Sequence, residues 1–186
     1  MLIRPLQPED LDLLDEIDAT IESTDYLHVN QEGEGLSRRW DVSMRPLRQK
    51  LIEPNRMSDK SRFLARQIAT GMDEGVALVA AHRNQIAALL LARMDPALRI
   101  AQIVELRVDY ESRRQGLATG LVFQLVQLAR QRQMRAIRCQ CRTNNSPGNQ
   151  LLLKCGFELG GIDTLHNTNH DLVKEQVTLI WYAPLE

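Results

Sequence analysis

The chain has 186 residues, enough for one well-buried core and short for two, so a single domain over residues 1–186 is expected. Its 23 basic and 24 acidic residues nearly cancel, which removes the global field that would favour nucleic acid or an anionic membrane as partner. No apolar run approaches the roughly 18–20 residues that cross a bilayer, and Met1-Leu2-Ile3-Arg4-Pro5 lacks a long apolar leader, so a soluble cytoplasmic protein is expected.

In chain order, Leu2 to Leu6 reads as a strand. Leu11, Leu14, Ile17 and Ile21 then recur at three- and four-residue intervals and predict an amphipathic helix, opened by Pro8, Glu9 and Asp10. From Glu22 to Ser61 the periodicity lapses. Gly33, Gly35, Pro46 and Pro54 amid mixed charge predict loops and one or two short helices around Arg45 to Glu53, a candidate substrate-binding region. Val76–Ala81 and Ile86–Ala92, joined by a polar link from His82 to Gln85, predict an antiparallel hairpin. Ile100 to Val108 is a further strand and Leu117 to Arg132 a helix with Leu121, Leu125 and Leu128 as its core stripe. Ala136 to Arg142 is a strand, Asn149 to Lys154 a helix opened by Pro147 and stopped by Gly156, and Val177 to Trp181 a closing strand. This order predicts an α/β (α+β) fold with a mixed sheet.

The segment that carries chemistry follows the strand ending Glu105-Leu106-Arg107-Val108. There Arg113-Arg114-Gln115-Gly116-Leu117-Ala118-Thr119 forms a tight basic turn leading into a helix. Consecutive backbone N–H groups at such a turn, backed by the helix dipole, suit a pyrophosphate, and small residues at Gly116 and Ala118 let it approach. A surface turn with chance arginines is the plainer alternative for six residues alone. A second element, Thr143-Asn144-Asn145-Ser146-Pro147-Gly148-Asn149, precedes a helix and Gly156-Phe157.

Arg113-x-x-Gly116-x-Ala118, preceded by Leu106-x-Val108, resembles the coenzyme A loop of the GNAT superfamily of N-acetyltransferases. Asn145 and Gly148 resemble that superfamily's second cofactor segment. The stretches Arg142-Thr143-Asn144-Asn145, Lys154-Cys155-Gly156-Phe157 and Leu159-Gly160-Gly161-Ile162-Asp163 look like streptothricin acetyltransferases over about 25 residues.

The resemblance implies a mixed six- to seven-stranded sheet flanked by helices, acetyl-CoA as co-substrate, and direct transfer of acetyl to a primary amine on a small molecule or a peptide. It implies cofactor contacts at Leu106, Arg107, Val108, Arg113, Arg114, Gln115, Gly116, Leu117, Ala118, Thr119, Asn145, Gly148 and Asn149. A backbone N–H of the Leu106 to Val108 strand would polarise the thioester carbonyl. Neither a metal, a nucleic-acid partner nor a membrane is implied. Members often dimerise, so a homodimer is an open expectation.

Two departures stand out. Many members carry a Tyr seven residues after the Asn to protonate the departing thiolate, and here that position is Leu152. Gln150 stands where streptothricin enzymes carry Asn. Tyr26, Tyr110 and Tyr182 are the remaining candidates for the acid. Glu105, beside the cofactor strand, is the candidate base, with a solvated strand residue as its alternative reading. The loss of Tyr admits a second function, an acyl-CoA-binding module with weakened chemistry and a regulatory role. His28, His166 and His170 lie in predicted loops and read as bland. Asp25, Glu32 and Glu34 are candidates for a cationic acceptor. Cys139, Cys141 and Cys155, without metal-ligand spacing, read as small hydrophobes.

Overall fold

The computed structural model describes residues 1–82 and 85–185. Its elements run β1 (Leu2–Pro5), a 3-10 helix (Pro8–Glu16), β2 (Ile21–Glu32), β3 (Arg39–Glu53), α1 (Asp59–Ala69), β4 (Val76–His82), β5 (Gln85–Asp95) and β6 (Ile100–Val108). They continue with α2 (Leu117–Gln131), β7 (Ala136–Arg142), α3 (Ser146–Lys154), β8 (Glu158–Asp163) and β9 (Thr178–Pro184). Seven strands make one mixed sheet in the order β1-β4-β5-β6-β7-β9-β8, with β6 and β7 parallel and β1 through β6 antiparallel neighbours. The expected mixed sheet flanked by helices is therefore present, at its upper strand count.

The chain divides into two compact units. The first comprises Met1–Thr20, Pro54–Cys139 and Tyr182–Glu186, and the second Ile21–Glu53 and Gln140–Trp181. In the first, Ile86 to Ala92 of β5 is buried throughout, the continuous apolar run of a strand covered on both faces. Leu89 and Leu91 share a core cluster with Val79, Leu14, Ile17 and Ala65, which clamps the 3-10 helix and α1 onto one face of the sheet.

Three expectations are corrected. Residues 8–16 form a 3-10 helix, and Ile21 begins β2. Leu11, Leu14 and Ile17 are spaced by three, which matches three residues per turn, and Arg4 fixes the first turn by clasping Asp10 at 2.6 and 2.9 Å. The stretch Glu22 to Ser61 is mainly the antiparallel ribbon of β2 and β3. Pro46 marks no break there. It pairs with Asp25 at the register shift, where a missing N–H is tolerated. Residues 59–69, of which the first three fell in the expected loop stretch and the rest had no assignment, form α1, capped by Ser58, whose side chain accepts from Ser61 N. The 76–81 and 86–92 hairpin is as expected; Arg83 and Asn84 of its polar link lie outside the described residues. No described helix is long and apolar enough to cross a membrane.

Candidate active site

In the first unit, β6 carries an extra residue. Its register against β5 moves from Glu105↔Leu91 to Ile103↔Ala92, leaving Val104 bulged and 38% exposed. β6 pairs in parallel with β7 over Ile100 to Ile103. On its other side, Leu106 and Val108 pair with Leu90 and Ala88 of β5.

The loop after β6 has the backbone of an anion cradle. Arg114 and Gly116 adopt left-handed conformations, with φ of 64° and 80°. Gly116 caps α2, and a Cβ at Gly116 would meet nothing within 4 Å, so the space before it is open. The first helical bond runs from Gly120 N to Gly116 O at 2.9 Å. The amides of Leu117, Ala118 and Thr119 precede it and have no intrahelical acceptor. These donors at a positive helix end fit a pyrophosphate by the chemistry of the donor set.

The side chains of the loop divide. Arg114 and Gln115 are exposed. Arg113 is turned away, with Nη2 donating to Thr20 O at 2.6 Å and the guanidinium 4.9 Å from the Tyr110 ring centroid. Tyr110 N donates to Asp18 O at 2.8 Å, and Asp18 N to Asp109 Oδ2 at 3.1 Å. Arg113 thus ties the loop to residues 18–20. The Asp18 carboxyl is held below its ordinary range by hydrogen bonds from Thr20, with the Arg113 charge adding a smaller share.

Glu105 is more enclosed than a solvated strand residue. It pairs directly with Leu91, and Arg107 with Leu89, which places both on the face carrying the core cluster. Ser61 Oγ donates to Glu105 Oε1 at 2.7 Å, and Arg107 Nη1 to Oε2 at 3.4 Å. Arg107 also donates to Asn55 O, is 3% exposed, and has an Nε with no partner among the described residues. Beside it lies a cavity of about 450 Å³, lined by residues 14–20, 54–56, Arg62 and Arg107. Sequence reading had not singled out Ser61, Asn55 or Asp18. Ser58-Asp59 before an apolar stripe was a legible helix start, but nothing local tied Ser61 to Glu105, 44 residues away.

In the second unit, Asn145 caps α3, its Oδ1 accepting from Gly148 N at 3.1 Å. Gly148 is small for a local reason, since a Cβ there would lie 2.8 Å from Asn145 Nδ2 and 3.0 Å from Cys141 Sγ. Asn149 was expected among the cofactor contacts, but its side chain is fully buried and committed internally. It donates to Arg142 O and Asn145 O at 2.9 and 3.0 Å and accepts from Trp181 Nε1 at 3.0 Å. Leu152, at the position of the expected Tyr, is a core residue 2% exposed. Tyr26 is buried, its hydroxyl 3.1 Å from His28 Nδ1, and burial together with Glu175 pushes its ionisation upward. His166 lies 3.3 Å from Asp163.

Comparison with known proteins bears on the family and the fold. The model of the acetyltransferase (GNAT) family matches residues 42–157. A streptothricin acetyltransferase of Escherichia coli is 35% identical over 83 residues, 45% of this chain and 48% of that protein, so the likeness spans about half the length of that relative. Among solved structures, a candidate streptothricin acetyltransferase from Bacillus anthracis, in complex with acetyl coenzyme A, superposes with a TM-score of 0.77 at 22% identity, over 100% of this chain and 97% of that one. A nourseothricin acetyltransferase gives 0.78 at 18% identity, over 100% and 98%. At these identities the structures establish the fold.

Proposed function

The chain belongs to the acetyltransferase (GNAT) family, and on that premise we propose that it transfers acetyl from acetyl-CoA to a primary amine, acting as one domain over residues 1–186. The observation that carries the reading is the course of β6 into α2: left-handed turns at Arg114 and Gly116, then three helix amides, of Leu117, Ala118 and Thr119, without an intrahelical acceptor. When bound, acetyl-CoA supplies the thioester acetyl group. Residues 113–119 hold the pyrophosphate through their backbone. The edge at Leu106, Arg107 and Val108 pairs with the pantetheine arm, and a strand amide of Leu106 polarises the carbonyl. In the second unit, Asn145 and Gly148 at the N-terminus of α3 are the further contacts that the family resemblance implies. Asn149 supports that helix end from within.

Glu105 acts as the base. A lysine-like amine is almost wholly protonated at pH 7, so an anchored carboxylate that accepts its proton raises the attacking fraction. Ser61 and Arg107 each hold one of its oxygens. The acceptor is a small-molecule amine, with streptothricin-like antibiotics the first class to try, or a peptide amine. The near balance of 23 basic and 24 acidic residues supports a reading without a nucleic-acid partner. The test is release of free coenzyme A thiol from acetyl-CoA in the presence of an amine panel including streptothricin. Amine-dependent release supports the proposal.

The burial of Leu152 favours a second reading, a family member that binds acyl-CoA without turnover. It predicts acetyl-CoA binding with no amine-dependent thiol release.

A further inference from the structure

The cavity beside Arg107 differs from an ordinary surface cleft in having a buried cation in its wall. Its volume of about 450 Å³ lies within the range of small-molecule sites, roughly 300–1,000 Å³. Arg107 is 3% exposed, yet its five donors are poorly used. One meets Glu105 at the long distance of 3.4 Å, one meets Asn55 O, and Nε has no partner among the described residues. A buried guanidinium left in that condition is costly, and a planar oxyanion offered from the cavity would relieve it. Glu105 cannot fill the role alone, because its other oxygen is held by Ser61.

The lining is mixed in charge: it holds Asp15, Glu16 and Asp18 together with Arg56 and Arg62, Asp15 paired to Arg62 and Asp18 taking the Thr20 amide at 3.0 Å. A purely cationic polyamine would suit these carboxylates but would bring positive charge towards Arg107. A dicarboxylate would suffer the reverse. A molecule with an ammonium and a carboxylate matches this mixed lining. The cavity also adjoins the anion loop, since the residues 18–20 that line it are bonded to Tyr110 and Arg113, and Arg107 lies on the strand that leads into the loop.

We infer that this cavity is the acceptor site and that Arg107 selects a carboxylate-bearing amine, an amino acid or a residue with a free carboxyl group, by receiving that carboxylate on its guanidinium. The inference rests on the acetyl-transfer reading, because it takes the occupant to be the acceptor. Asp15 and Asp18 face the cationic part of the same molecule.

The experiment compares L-lysine with cadaverine, which has the same diamine chain without the carboxylate, by calorimetric titration into the wild type, Arg107→Met and Arg107→Lys. Acetyl-CoA is titrated into each separately. A charge-assisted carboxylate contact predicts that the wild type binds lysine ~10–100-fold more tightly than cadaverine. That preference should vanish in Arg107→Met and be partly kept in Arg107→Lys. Because removing a buried cation can unfold the chain, the ligand comparison in the wild type decides the matter by itself. Cadaverine binding as tightly as lysine, or neither ligand binding, overturns the inference. Lysine binding that depends on Arg107 in a protein that ignores acetyl-CoA would keep the site and sink the acetyl-transfer reading.

Discussion

Ser61 Oγ donates a 2.7 Å hydrogen bond to Glu105 Oε1, joining the first turn of α1 to the strand that leads into the anion loop. Ser58 extends the contact, donating to Ser61 Oγ at 3.0 Å while capping the helix. The carboxylate is thereby fixed by an element remote in sequence. Ser61→Ala should cost about 1 kcal/mol of stability in urea unfolding and lower kcat for a good amine acceptor more than it raises KM. Glu105→Gln should lower kcat about 10²–10⁴-fold in the thiol-release assay, the range of a lost general base. An unchanged kcat in Glu105→Gln would remove Glu105 from the chemistry.

Gly116 illustrates a backbone requirement free of crowding. Its φ is 80° and a Cβ would meet open space, so Gly116→Ala should cost about 1–2 kcal/mol through conformational strain alone. Chemical denaturation of wild type and variant measures it. A neutral result would mean that the loop relaxes to another conformation.

Asp10 ties acid stability to the amino-terminal turn. Two hydrogen bonds from Arg4 lower its ionisation range, burial opposes them, and the amide of Gln7 adds at 2.8 Å. A depressed carboxyl contributes stability that is present above its unfolded value, near 3.9, and is lost as pH falls through the folded value. Asp10→Asn should therefore be less stable than the wild type at pH 6, with the gap closing below about pH 4. Urea midpoints across that range measure the gap, and a gap independent of pH would show that the Arg4 clasp does not govern it.

Cys139 should be inert. Burial pushes its thiol up to about 12, leaving almost no thiolate at neutral pH. Iodoacetamide at pH 7.5 should leave Cys139 unmodified in the folded protein and label it after unfolding, read by peptide mass spectrometry. Rapid labelling of the native chain would mean that the β7 segment opens locally.

The strands of the first unit were legible because apolar runs such as Ile86 to Ala92 need no partner to be recognised. The loop at 113–118 was legible because Gly and small residues at fixed spacing have a backbone reason. The ribbon of β2 and β3 was not, since much of β3 is exposed and its Trp40, Val42 and Met44 alternation is interrupted by Pro46 at a register shift. The Glu105, Arg107 and Ser61 cluster depended on a bulge and on a helix contributed from 44 residues upstream, which no local pattern encodes. For Asn149 the family motif gives a position but not the direction of its side chain. Here that side chain turns inward to Trp181.

The most direct test of the account is calorimetric titration of acetyl-CoA into the wild type, Gly116→Gln and Gly116→Glu. Both variants carry the same backbone strain at φ 80°, and they differ by one negative charge at the cradle. The account predicts binding by the wild type, weaker binding by Gly116→Gln, and loss of binding by a folded Gly116→Glu. Equal binding by the two variants, or none by a folded wild type, would contradict the assignment of the cofactor to this loop.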